Sequence, residues 1–118
     1  MYKIGADIVE VERIRKLIDR YDFKFLNKIF SSEEIAYCNT RKNPSIHFAG
    51  RFSAKEAIKK ALSGKHGNIL FKFNKIKIIN DENGRPYIDT KSFPLENIDI
   101  SISHTTTHAI SVAILNNA

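Results

Sequence analysis

Between Phe48 and Leu62 the chain reads Phe-Ala-Gly-Arg-Phe-Ser-Ala-Lys-Glu-Ala-Ile-Lys-Lys-Ala-Leu, a run with helical spacing that sets a carboxylate among small residues. At about 100° per residue, Ala49, Ser53, Glu56 and Lys60 share one narrow strip of the helix surface. Ala49 and Ser53 leave room there for other groups to approach. Taken alone, Glu56 and Lys60 are an ordinary i, i+4 surface pair. A second acid, Asp7, lies in an apolar segment near the N-terminus. One acid on a strand and one on a helix make a place for a hard cation, whose coordination a phosphate ester completes.

The remaining elements follow from periodicity. Tyr2 to Val9, rich in Ile and Val, predicts a buried strand. Glu10 to Tyr21 predicts a helix with Val11, Ile14, Leu17, Ile18 and Tyr21 on its apolar side, and with Arg13, Lys16 and Arg20 projecting together from the other. Phe23 to Phe30 predicts a short helix. Ser31 and Glu34 have capping-box spacing for a third, which fades in the polar run from Asn39 to Pro44. Pro44 suits the first turn of the long helix, and Ser63-Gly-Lys-His-Gly67 ends it. Strand-like runs at Lys75–Asn80 and Pro86–Asp89 flank an Asn83-Gly84 turn. Ile98 to Ser103 alternates, His104 to His108 forms a polar connection, and Ile110, Val112 and Ile114 resume the alternation. Helices early and strands late predict an α+β fold with an antiparallel sheet. The sheet is short and apolar enough to need cover on both sides, which predicts oligomerisation through it.

At 118 residues, 42% hydrophobic and 27% charged, the composition is that of one globular domain spanning 1–118. The N-terminus lacks the apolar run of a signal peptide, and no segment approaches the length of a membrane span. A single cysteine, Cys38, excludes an internal disulfide framework and fits a reducing cytoplasm as an inert thiol. A net charge of +6 favours an anionic partner, without choosing among nucleic acid, lipid, acidic protein and phosphorylated small molecule.

Spacing narrows the chemistry. The four histidines and Cys38 have no zinc-site pattern. Asp7 and Glu56 suit magnesium, which takes few protein carboxylates and fills its octahedron with water and phosphate oxygens. Arg51, Lys55, Lys59 and Lys60 charge the long helix positively, and Gly64 and Gly67 follow it, where backbone amides can approach phosphate oxygens. Ser63-Gly-Lys-His-Gly67 is not a P-loop, because the Gly-Lys-Ser/Thr ending is missing and it follows a helix. Ser101, Ser103 and His104 lack the nucleophile elbow of a hydrolase.

Gly5-Ala-Asp7-Ile-Val9, the Phe48–Ala57 run, Asn83-Gly-Arg-Pro86 and Ser101-Ile-Ser-His104-Thr105 together resemble the bacterial holo-acyl-carrier-protein synthases, the short 4′-phosphopantetheinyl transferases. The matches span the chain in family order. The resemblance implies the 4′-phosphopantetheinyl transferase fold and transfer of phosphopantetheine from coenzyme A to a serine of apo-acyl carrier protein, in support of fatty acid biosynthesis. It implies that Asp7 and Glu56 hold Mg²⁺, that Lys60 binds pyrophosphate, and that Arg51, Asn83, Gly84 and Pro86 approach the nucleotide. His104 and Thr105 match a phosphate-contacting pair from a neighbouring subunit of a homotrimer, and Arg13 matches an arginine that contacts the carrier. Beside Arg13, Lys16 and Arg20 complete a basic ridge suited to an acidic carrier. The acceptor of the serine proton stays open between a metal-linked water and a carboxylate such as Glu56. Arg41 and Lys42 are the nearest basic residues for the adenosine 3′-phosphate, because Asn43 and Pro44 follow them. Two other readings stand beside this one: a small basic nucleic-acid-binding domain, and a non-catalytic module that binds the carrier. The first has a trace of its pattern in Phe71-Lys-Phe-Asn-Lys-Ile-Lys77, where Phe71 and Phe73 read better as core residues entering a strand. The second has no need of Asp7, Glu56 and Lys60 together.

Overall fold

The computed structural model describes residues 1–62, 72–89, 91 and 97–116. Strand β1 (Tyr2–Glu10) leads into helices α1 (Val11–Tyr21), α2 (Phe23–Ile29), α3 (Ser32–Asn39) and α4 (Pro44–Leu62). A 3₁₀ turn (Phe73–Lys75), a hairpin of β2 (Ile78–Asn80) and β3 (Pro86–Ile88), and strands β4 (Ile98–His104) and β5 (His108–Asn116) complete the chain. β5 is central in an antiparallel sheet of order β1-β5-β4, with Tyr2 opposite Asn116, Glu10 opposite His108 and His104 opposite Ala109.

The local signals act where the sequence places them. Ser31 and Glu34 form a complete capping box at the start of α3, and Pro44 opens α4. Asp81 Oδ1 accepts the Asn83 and Arg85 amides at 2.9 Å each, and Gly84 takes the positive φ of 84° that the hairpin turn requires. The first strand of that hairpin is shorter than its sequence pattern. Phe73 to Lys75 turn as 3₁₀, with the Ile76 amide donating to the Phe73 carbonyl, so pairing starts only at Ile78. The predicted helix-ending loop Ser63–Gly67 lies outside the described residues.

α4 runs across one face of the sheet. That face carries small residues: Gly5 on β1, and Ala109, Ser111 and Ala113 on β5. Gly5 is the tightest point. A β-carbon added there would lie 2.7 Å from the Ala61 nitrogen and overlap the Ala57 carbonyl oxygen. Further out, Ile58, Ile76, Ile78, Ile100 and Leu115 close the core around the helix. The bulky alternating residues point the other way. Ile4, Ile8, Ile110, Val112 and Ile114 lie on the outer face, with Ile4 67% exposed.

Candidate active site

Asp7 is held against α4 from two directions. Ser53 Oγ donates to its main-chain carbonyl at 3.1 Å, and Lys60 Nζ donates to its Oδ1 at 3.2 Å and to the Ala6 carbonyl at 3.0 Å. Ser53 and Lys60 bracket Glu56 on one strip of the helix, so Asp7 lies against the strip that carries Glu56. Only 16% of the Asp7 side chain is exposed, against 55% for Lys60. Gly5 makes this approach possible, because two residues before Asp7 the strand backbone touches the helix backbone.

Half-buried Glu56 also opens onto a groove of about 530 Å³, lined by Lys28, Ile29, Lys59, Lys72, Phe73 and Asn74. Its cationic rim suits an anionic or phosphorylated ligand. Phe52, one helical turn before Glu56, lies beneath Arg13, whose guanidinium carbon is 6.0 Å from the ring centroid. Arg13, Lys16 and Arg20 line a neighbouring groove of about 440 Å³. None of the three forms an ion pair among the described residues, whereas Arg15 is paired with Glu12 and Asp19. Arg13 packs over Phe52 and Arg20 over Tyr21 instead, so the ridge begins one helical turn from Glu56.

Arg51 is only 4% exposed. Its guanidinium lies 4.3 Å over the Tyr37 ring and donates from Nη2 to Asn80 Oδ1 at 2.6 Å, while Asn80 Nδ2 donates to the Gly84 carbonyl at 2.9 Å. Arg51 thus ties α4 to the turn that carries Asn83, Gly84 and Pro86, and its Nε is buried with no hydrogen-bond partner among the described residues. Lys55 is fully buried as well. The four positive charges of the helix therefore divide into two groups. Lys59 and Lys60 face solvent, while Arg51 and Lys55 do not.

His104 ends β4 at the other end of the helix, exposed, its ring 5.8 Å from that of His47. His47 stacks edge-on with Tyr37. Burial, then the charges of Arg41, His104 and Arg51, hold the His47 pKa below the usual imidazole value. Thr105 Oγ1 accepts the Thr107 and His108 amides in the β4–β5 turn. His104 does not converge with Asp7 and Glu56 within one chain. Nine residues of helix separate His47 from Glu56, about 13 Å along the axis. Gly64 lies outside the described residues.

The comparisons with known proteins bear on this arrangement. A family model described as the 4′-phosphopantetheinyl transferase superfamily matches residues 3–113. The chain belongs to that superfamily. It is 42% identical over 116 residues to the holo-[acyl-carrier-protein] synthase of Protochlamydia amoebophila, covering 94% of each chain. Its fold is similar to that of the Helicobacter pylori holo-[acyl-carrier-protein] synthase in complex with coenzyme A, at a TM-score of 0.78 and 36% identity, covering 93% of this chain and 96% of that one. It is also similar to the Bacillus anthracis synthase in complex with CoA (3′,5′-ADP), at 0.77 and 32% identity, covering 96% and 94%. The α+β fold with its antiparallel sheet, expected from the sequence, is that of these transferases.

Two features of this transferase chain escape sequence reasoning. Lys55 Nζ and Glu34 Oε1 form an ion pair at 2.6 Å with both side chains wholly buried. Periodicity makes Glu34 a cap and Lys55 a surface charge. The only sequence hint of their meeting is that Lys55 continues the apolar side of α4, one residue after Ala54. His47 and Tyr37 were likewise unmarked, because an aromatic contact between helices has no signature in either helix alone. Cys38 is buried, and burial pushes its thiol up to about 12, which keeps it protonated and inert.

Proposed function

We propose that this chain transfers the 4′-phosphopantetheine arm of coenzyme A to a serine of an apo-acyl carrier protein, releasing adenosine 3′,5′-bisphosphate, with Mg²⁺ as cofactor. The observation that carries the reading is that Ser53 and Lys60 of α4 hold Asp7 against the helix strip that also carries Glu56. Its donor set fits the metal. Asp7 and Glu56 are hard carboxylate donors, and Asp7 already attracts the Lys60 ammonium. Asp7 and Glu56 would hold the ion, leaving the rest of its octahedron to water and substrate oxygens. When bound, Mg²⁺ supplies neutralising charge to the pyrophosphate.

The chain's own residues do the rest. Lys60, exposed at the rim of the wall, places an ammonium beside the phosphoryl group that accumulates charge as the serine oxygen attacks. Arg51 holds the Asn83–Pro86 turn to the helix, presenting it to the nucleotide. The Arg13, Lys16 and Arg20 ridge orients an acidic carrier so that its serine enters beside Phe52 and Glu56. No enzyme nucleophile is needed, because positioning and charge stabilisation suffice for a phosphoryl-type transfer.

His104 and Thr105 reach such a site from a second copy of the chain. The exposed outer face of the sheet supports a homotrimer with sites between subunits, since a contiguous apolar face is costly to leave in water. A concentration-independent monomer mass in sedimentation would remove that part. No helix among the described residues is long and apolar enough to cross a membrane, and a free buried thiol suits the cytoplasm, where the carriers would serve fatty acid biosynthesis.

The test is a mass-shift assay with apo-acyl carrier protein, coenzyme A and Mg²⁺. The carrier gains one phosphopantetheine with the parent protein, and Glu56→Gln abolishes the gain. No modification of several carriers by the parent protein would defeat the reading.

A further inference from the structure

We propose that Lys55 is a positioning residue for the transfer, its buried ammonium fixing the groove wall that faces Glu56. This rests on the transferase reading of the same site. Lys55 Nζ donates to the Ile29 carbonyl at 2.8 Å, to the Phe73 carbonyl at 2.8 Å and to Glu34 Oε1 at 2.6 Å. An ammonium has three N–H bonds, and all three are used. Ile29 ends α2 and Phe73 opens the 3₁₀ turn, and both line the groove with Glu56. Successive helical residues diverge by about 100°. Lys55 therefore points beneath the groove while Glu56 points into it, and the opposite walls are tied to the residue next to the acid.

Glu34 anchors the same knot. It also accepts the Ser31 amide at 2.9 Å and the Ile78 amide at 3.2 Å, which adds α3 and β2 to the segments that Lys55 registers. The Phe30 ring, 5.3 Å from Nζ, closes the remaining side. Without the ammonium, two carbonyls and a carboxylate would lie buried without their donor, so the walls must part or admit water. Displacing a wall beside reacting groups lowers the rate far more than it weakens binding of a carrier held on the separate α1 ridge.

The experiment compares Lys55→Met and the double variant E34Q/K55M with the parent protein. Melting temperatures are measured first, then kcat and KM for coenzyme A and for apo-carrier, at a temperature where each protein is folded by circular dichroism. The double variant buries no unpaired charge and recovers melting temperature, yet leaves the Ile29 and Phe73 carbonyls untied. Its kcat is expected to stay at least about tenfold below the parent's, with KM for the carrier changed by less than about threefold. A folded variant of either kind with the parent's kcat overturns the proposal. Loss of fold in both overturns it too, by assigning Lys55 a purely structural role. An inactive parent protein would instead defeat the transferase reading itself.

Discussion

Gly5→Ala changes a single hydrogen to a methyl group, and the structure gives that change a steep cost. The new carbon would lie 2.9 Å from the Ala57 carbonyl carbon and 2.7 Å from the Ala61 nitrogen, where ordinary contact begins at 3.4 Å, and it would overlap the Ala57 oxygen. All three atoms are helix backbone, so no side chain can rotate away, and β1 must separate from α4 by roughly 1 Å. Overpacking of a core costs about 1–3 kcal/mol, and a backbone-on-backbone clash belongs at the upper end. At about 4 °C per kcal/mol for a domain of this size, the melting temperature falls by about 12 °C. The same displacement carries Asp7 away from Ser53 and Lys60, and a shift of about 1 Å in a catalytic constellation lowers the rate about a hundredfold. The assay is a thermal melt by circular dichroism at fixed protein concentration, because association shifts apparent stability. Single-turnover transfer below both melting points completes it. A melting temperature within about 3 °C of the parent's, with unchanged turnover, would refute the close-approach argument.

Two further predictions follow from charges at the surface and at the helix end. Arg13→Glu raises the KM for carrier protein by about tenfold or more and leaves the KM for coenzyme A within about twofold, because the arginine faces the ridge groove. Equal damage to both constants in steady-state kinetics would contradict it. His47, its pKa held low first by burial and then by Arg41, His104 and Arg51, contributes stability that is present above the ordinary imidazole pKa. That contribution is lost as pH falls through the lower folded value. Thermal melts between about pH 7 and pH 5 therefore decline on acidification, and His47→Gln flattens part of the decline. An identical pH profile in the variant would dismiss His47 as the cause.

What was legible in the sequence is what a single element encodes. The strip of Ser53, Glu56 and Lys60, the Ser31–Glu34 box, Pro44 at the helix start and the Asn83-Gly84 turn depend on neighbours within a few residues, and each stands where the spacing put it. The pairing of Asp7 with Glu56 has no signature in spacing, and only the family resemblance joins the two acids in one site. Lys55 was misplaced because lysine is ordinarily solvated. Its acid partner is 21 residues away, on a helix where Glu34 already has a local job. The Arg51 contact has no local signal for a similar reason, as its acceptor Asn80 belongs to a hairpin 29 residues on. Alternation in β5 separated two faces correctly but did not say which is inside. The answer lay in the small residues. Ala109 and Ala113 face the helix together with Gly5, and the isoleucines do not.

That inversion couples the site to the way the chain associates. For Asp7 to lie against the strip of α4 that carries Glu56, β1 must touch α4. Around that backbone contact the inner face of β1 and β5 is small, with Gly5, Ala109, Ser111 and Ala113, while Val9, Ile100 and Leu115 fill the inner face around it. The large apolar side chains that alternate with those small residues have only the opposite side of the strand. Ile4, Ile8, Ile110, Val112 and Ile114 therefore gather on the outer face, paired across β1 and β5 as Ile4 with Ile114 and Ile8 with Ile110. In the proposed homotrimer, this surface brings in the copies that deliver His104 and Thr105. One packing requirement then accounts for both halves of the proposed site: the helix wall with its two acids, and the apolar face that would recruit the neighbouring residues. A substitution that enlarges the inner face strikes both, which is why Gly5→Ala is expected to cost turnover as well as stability.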